Sequence, residues 1–143
     1  MRFLHICHSM KYGGITSFVK SLIETNKSQE AGHDVLIWKI SDHQSVLSKN
    51  FIDISKSTNK TKDLELVAQK YDKVLFHSVP PFMLKTIYHL RHKSYIFQHG
   101  LTFGNKLPGA LINALIYLVT IHIFGLKIIC SSEYAFIKLK RRL

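Results

Sequence analysis

The chain has 143 residues, of which 46% are hydrophobic and 20% charged, enough for one domain with a buried core and too apolar for a disordered tail. Its net charge is +11, and from Lys73 onward ten Lys and Arg residues face a single acid, Glu133, so the second half should attract anions. Two cysteines, Cys7 and Cys130, are too few for a disulfide scaffold and lie in apolar runs, as reduced thiols of a cytosolic protein would.

Phe3 to Cys7 reads as a short buried strand that breaks into the polar loop His8 to Gly14. Its apolar stretch is too short for a secretory signal. Ile15, Phe18, Val19, Leu22 and Ile23 then recur at the spacing that puts one helical face on a core. Ala31-Gly32-His33-Asp34 is expected to stop that helix at its glycine, and Val35 to Ile40 reads as the next strand.

This strand, helix, strand unit carries two adjacent glycines, Gly13 and Gly14, in its first turn. Without Cβ atoms they admit positive φ and allow a ligand close to main-chain N–H groups. Those groups would sit at the positive end of the helix dipole, where a phosphate is stabilised. The alternative is that the pair merely makes a tight turn.

Ser41 to Asn50 reads as a surface loop, Phe51 to Ile54 as a short edge strand, and Ser55 to Thr61 as a second loop. Leu64, Val67 and Ala68 mark a helix ending near Tyr71-Asp72. Lys73 to His77 reads as a strand, Pro80-Pro81 opens a helix through Leu90, and Ser94 to Gln98 gives another strand.

Leu107 to Ile129 is the most hydrophobic stretch, interrupted by Asn113, His122, Gly125 and Lys127. A membrane span needs about 20 predominantly apolar residues. The stretch reads as a helix from Pro108 to Phe124 with a turn at Gly125 and a buried strand from Lys127 to Cys130; the alternatives are a single span and a helix that packs one side on the sheet and offers the other to a bilayer surface. The tail from Tyr134 to Leu143 reads as a basic helix.

Strands alternating with helices imply a parallel Rossmann-like sheet with helices on both faces, in the order 3-2-1-4-5-6. Ligands of such sheets bind beyond the carboxyl ends of the strands. His8, Ser9 and Gly13-Gly14 follow the first strand, His77-Ser78 the fourth, His99-Gly100 the fifth and Ser131-Ser132-Glu133 the sixth. Each has a plainer use, as a hydrogen-bonded loop histidine or, for Ser-Ser-Glu, a helix cap.

Nine histidines raise the question of a metal, but His5 and His8 straddle a strand end, and His89 and His92, three apart on a helix, have no matching carboxylate or cysteine ligands. No Gly-x-Ser-x-Gly elbow, Walker lysine pattern or close carboxylate pair appears. A dinucleotide oxidoreductase would need Gly-x-Gly-x-x-Gly and an acid ending the second strand, where only Asp42 is near. The basic residues are not interleaved with aromatics as in a nucleic-acid binder.

Gly13-Gly14 with its helix, Ala31 to Val35, Gln98-His99-Gly100 and Ile129 to Glu133, in this order, resemble the N-terminal domain of glycosyltransferase family 4 over nearly the whole chain. The resemblance implies the GT-B fold and sugar transfer from a nucleotide donor, with retention, to a glycan or lipid-linked acceptor in envelope polysaccharide or glycolipid synthesis. It implies that Gly13 and Gly14 meet the donor diphosphate, that His99 acts beside the reacting sugar as the catalytic residue, and that Ser9, His77, Ser132 and Glu133 line the acceptor side. Neither a metal nor another cofactor is implied.

Residues 1–143 would form the acceptor-side domain, with the C-terminal donor domain absent. The chain would then be a truncated product, a fragment or half of a split enzyme, inactive alone, with a donor domain on a separate chain as partner. A cytoplasmic location follows, including the inner face of the membrane, where Lys138, Lys140, Arg141 and Arg142 would seek anionic headgroups. Nucleic acid is not an expected partner. The alternative is a basic Rossmann-like binding or membrane-interaction module without catalysis.

Overall fold

The computed structural model describes residues 1–9, 14–25, 32–39, 50–98, 109–132 and 137. Within them, six strands form one parallel sheet in the order β3-β2-β1-β4-β5-β6. They are β1 (Arg2–Ser9), β2 (Gly32–Lys39), β3 (Phe51–Asp53), β4 (Lys73–Phe76), β5 (Ser94–Gln98) and β6 (Lys127–Cys130). The helices are α1 (Gly14–Thr25), α2 (Lys60–Ala68), α3 (Leu84–His89) and α4 (Gly109–Leu118). This is a Rossmann-like α/β fold with the expected strand order.

The register explains why the central strands are so apolar. Ile52, Leu36, Ile6, Phe76, Ile96 and Ile128 pair in one row across all six strands. That row faces the larger core, where it meets Leu64 and Ala68 of α2, Met83, Ile87 of α3 and Ile116 of α4. The opposite face is thinner: Cys7, Val35 and Ile37 pack on Val19 of α1, with Ile15 and Phe18 at its edge. Fully burying a side chain of the Leu or Ile class stabilises by about 1.5–3 kcal/mol, so the two-faced strands β1 and β2 anchor the domain.

Sequence signals at the ends of elements have visible causes. Asn59 caps α2 by accepting the Lys62 N–H at 3.2 Å. Pro81 stands at the start of a short 3-10 turn, Pro81–Met83, that leads into α3. The long apolar helix expected from Pro108 to Phe124 is α4 followed by a π-helical turn, Val119–Ile123. There Thr120 Oγ1 donates to the Ile116 and Tyr117 carbonyls, and the Phe124 N–H reaches back to the Val119 carbonyl. Gly125 ends this segment with φ +68, and β6 begins two residues later.

Gly32 departs from its expected role. Instead of ending a helix it opens β2, pairing with Arg2 and donating its N–H to the Met1 carbonyl at 3.2 Å. The strand starts early because Asp34, polar within it, is satisfied by the Tyr71 hydroxyl at 2.6 Å and Arg2 at 3.4 Å. The basic tail expected from Tyr134 to Leu143 lies outside the described residues, apart from Ile137.

Candidate functional site at the carboxyl ends of the strands

Parallel pairing brings the ends of β1, β4, β5 and β6 to one rim. The His77 N–H donates to the Ile6 carbonyl and the Ser131 N–H to the Gln98 carbonyl, so each strand's exit follows its neighbour's. His8, Ser9, His77, Ser78, Ser131 and Ser132 therefore stand at the same end of the sheet, where Gly14 also opens α1. Gly13, His99 and Glu133 lie outside the described residues.

The rim has two sides, because side chains alternate along a strand. His8 falls on the side of the larger core, its ring 5.5 Å from that of Phe82, which in turn lies 5.4 Å from Trp38. Partial burial lowers the His8 pKa, and the nearby charges of Lys39 and Lys60 lower it further. Lys60 is held there by donating to the Trp38 carbonyl at 3.2 Å. This corner favours a neutral imidazole among cations.

His77 falls on the other side, and it is buried at 6% exposure. His5 occupies the centre of a ladder of three imidazoles that crosses β2, β1 and β4. His5 Nδ1 lies 2.8 Å from His77 Nε2, and His5 Nε2 lies 2.8 Å from His33 Nδ1. Both neighbouring rings stand 5.1 Å from His5, centroid to centroid. The register creates the ladder: His5 pairs with Val35 and Leu75, so His33 and His77, two positions away in opposite directions, are its diagonal neighbours on one face.

Aromatic rings close both ends. Phe3 stacks on His33 at 4.6 Å, while Phe97 stacks on His77 at 5.2 Å and Phe18 of α1 covers that pair. Burial lowers the His33 pKa, with Asp34 opposing. Two tautomer sets satisfy both nitrogen contacts with every ring neutral, one with all protons directed toward His77 and one with all directed toward His33.

The ladder also limits charge. Each nitrogen contact has room for one hydrogen, so two facing nitrogens cannot both be protonated while the contact lasts. Their facing nitrogens are engaged with each other and do not converge on a point. Among the described residues no group of three His, Cys, Asp or Glu is arranged to hold a metal ion.

Sequence reading isolated His77 but not its partners. His5 and His33 carry no local signal, since their proximity depends on strand register. Lys39, Lys60 and Phe82 around His8 come from three separate elements and escaped for the same reason. Of the two thiols, Cys7 is buried and Cys130 partly so, both unpaired, and burial raises the pKa of each.

A third feature is apolar. Leu111, Ile112, Leu115 and Leu118 of α4, and Ile123 of the π turn, are exposed, while Ile116 and Thr120 of the same segment are buried. Tyr117 turns inward to hydrogen-bond Gln98. Among the described residues no helix is long and apolar enough to cross a membrane.

No family model matches the sequence, and no curated protein matches it. A solved structure of a meso-DAP dehydrogenase mutant with DAP, from Clostridium tetani, is similar at a TM-score of 0.48 and 11% identity, over 98% of this chain and 39% of that one. The chain thus spans well under half the length of that protein, 39% of it.

Proposed function

We propose that the chain is the acceptor-side domain of a retaining glycosyltransferase that uses a nucleotide-sugar donor and a glycan or lipid-linked acceptor. The observation that carries this reading is the gathering of polar groups after β1, β4 and β6 at one rim, beside the glycine that opens α1. In this reading the Gly13-Gly14 turn meets the donor diphosphate, and His99 bonds to the reacting sugar. Ser9, Ser132 and Glu133 line the acceptor side, with His77 holding the rim from beneath through the ladder.

The chemical demand is stabilisation of a leaving diphosphate, which backbone N–H groups at a helix start and nearby cations supply without a metal. Lys39 and Lys60, the two cations whose charges lower the His8 pKa, stand near this rim. The base and ribose of the nucleotide need a second domain.

The test combines the purified chain with a candidate donor domain and a panel of radiolabelled nucleotide sugars, using short glycans and polyprenyl phosphates as acceptors. Transfer by the mixture, lost in Gly14→Val, supports the reading. Absence of transfer from every donor, together with no acceptor-induced NMR shifts at the rim, ends it.

The exposed apolar side of α4 favours a second reading, a membrane-interaction module at the inner face of the membrane. Flotation with anionic liposomes, abolished by Leu111→Ser with Leu115→Ser, separates it from a domain with no affinity for lipid.

A further inference from the structure

We infer that the hollow at the amino ends of β4, β5 and β6, at the opposite end of the sheet from the rim, is a binding site for a phosphoryl anion. It is about 520 Å³ in volume and is lined by Lys73, Arg91, His92, Tyr95, Phe124, Gly125, Lys127 and Ser94. No acid lines it.

The sheet builds the site. Lys73 and Lys127 are the first residues of their strands, and Tyr95, second in β5, pairs directly with Lys127. The Lys73 ammonium donates to the Tyr95 hydroxyl at 3.1 Å and sits 5.2 Å from its ring centre. Because that hydroxyl oxygen accepts from Lys73, its own hydrogen is directed elsewhere.

Arg91 enters from the short turn Arg91–Lys93 ahead of β5. Its guanidinium stacks 4.2 Å from the Tyr88 ring centre and donates Nη1 to the Tyr88 carbonyl at 2.9 Å, which fixes its plane. Four further N–H donors belong to the same fork. Neighbouring Lys93 shows the contrast, since its ammonium is spent on the Ala68 and Tyr71 carbonyls.

The two ion pairs formed among the described residues, Arg2 with Asp34 and His89 with Glu65, involve none of the lining residues. Lys73, Arg91 and Lys127 offer donors only, and the Tyr95 hydroxyl, accepting from Lys73, has its hydrogen to donate. The complementary ligand is therefore an acceptor-only group of high charge density, and phosphoryl oxygens match the arginine fork. The space beside Gly125 is open, since a Cβ there would meet nothing within 4 Å. The phosphoryl group reaches this site either on a soluble molecule or as the headgroup of a lipid, whose chains would meet the exposed Ile123 next to Phe124.

The experiment titrates the full chain with inorganic pyrophosphate by calorimetry and by amide NMR, and separately with phosphatidylglycerol and phosphatidylcholine vesicles. Pyrophosphate should shift the amides of Tyr95, Gly125 and Lys127, and Lys73→Gln with Lys127→Gln should weaken it at least about tenfold, the loss of two charge-assisted hydrogen bonds. The charge-matched control, Lys56→Gln with Lys62→Gln, should leave affinity unchanged. Arg91→Gln alone gives the same direction of change should the double variant fail to fold.

Phosphatidylglycerol binding that pyrophosphate displaces identifies a lipid headgroup as the source, and pyrophosphate binding without vesicle binding identifies a soluble phosphate. Equal loss in the control, shifts scattered over every basic surface, or no binding at millimolar pyrophosphate overturns the inference.

Discussion

His5 Nδ1 and His77 Nε2 face each other at 2.8 Å across β1 and β4, both rings buried. A hydrogen bond between two buried imidazoles replaces two bonds to water, and removing one partner strands the other. His5 serves two such contacts, whereas His33 serves one and retains its stack on Phe3. His5→Phe should therefore cost about 2–3 kcal/mol of stability and His33→Phe about 1 kcal/mol, measured as shifts in the urea midpoint. Equal costs for the two variants would show that the ladder contributes no more than its outer ring does.

The same geometry fixes the response to acid. Burial lowers the pKa of His33, and burial with Lys39 and Lys60 lowers that of His8, so below the ordinary histidine range the unfolded chain binds more protons than the folded one. The stability involved is intact above about pH 6.5 and is lost as pH falls through the depressed folded values. Urea midpoints should decline from pH 7 to pH 5, and His33→Phe should decline less steeply than the parent.

How far the sequence revealed this molecule follows from the range of each signal. Ser94–Gln98 and Lys127–Cys130 were legible as strands because short apolar runs end in turn residues, and the sheet order followed from alternating strands and helices. Gly32 misled, because a glycine after a helical pattern reads as a cap, whereas here it begins a strand whose N–H reaches Met1. The rim was legible, since every parallel strand delivers its following residues to one end. The ladder and the basic hollow were not, because His33 and Lys127 acquire their neighbours only through register, a long-range property that no local window contains.

Thr86 supplies a third test, from a side chain that serves no visible purpose. It is fully buried in α3, and its Oγ1 lacks a hydrogen-bond partner. Helical threonines ordinarily donate to a carbonyl one turn back, as Thr120 does to Ile116. Thr86→Val keeps the branched shape and removes the stranded hydroxyl, so it should stabilise by about 1 kcal/mol. A lower urea midpoint for the valine variant would mean that the hydroxyl is satisfied in solution.

Alkaline stability should be governed by groups that burial holds protonated. Cys7, fully enclosed between β2 and α1, is pushed up to about 12 from an ordinary 9.0, and burial likewise raises Tyr117 to about 12. Both are neutral when protonated, so the folded chain retains protons that the unfolded chain releases. Their contribution is complete below pH 9 and is lost as pH rises toward 12, at about 1.4 kcal/mol per pH unit for each group within its window. Cys7→Val removes the thiol and keeps an apolar side chain. Between pH 9 and pH 10.5 its urea midpoint should fall less steeply than that of the parent, while below pH 8 the two profiles run parallel. Parallel profiles over the whole range would mean that the thiol ionises as readily in the folded chain as in the unfolded one, and that the face of the sheet beneath α1 admits water.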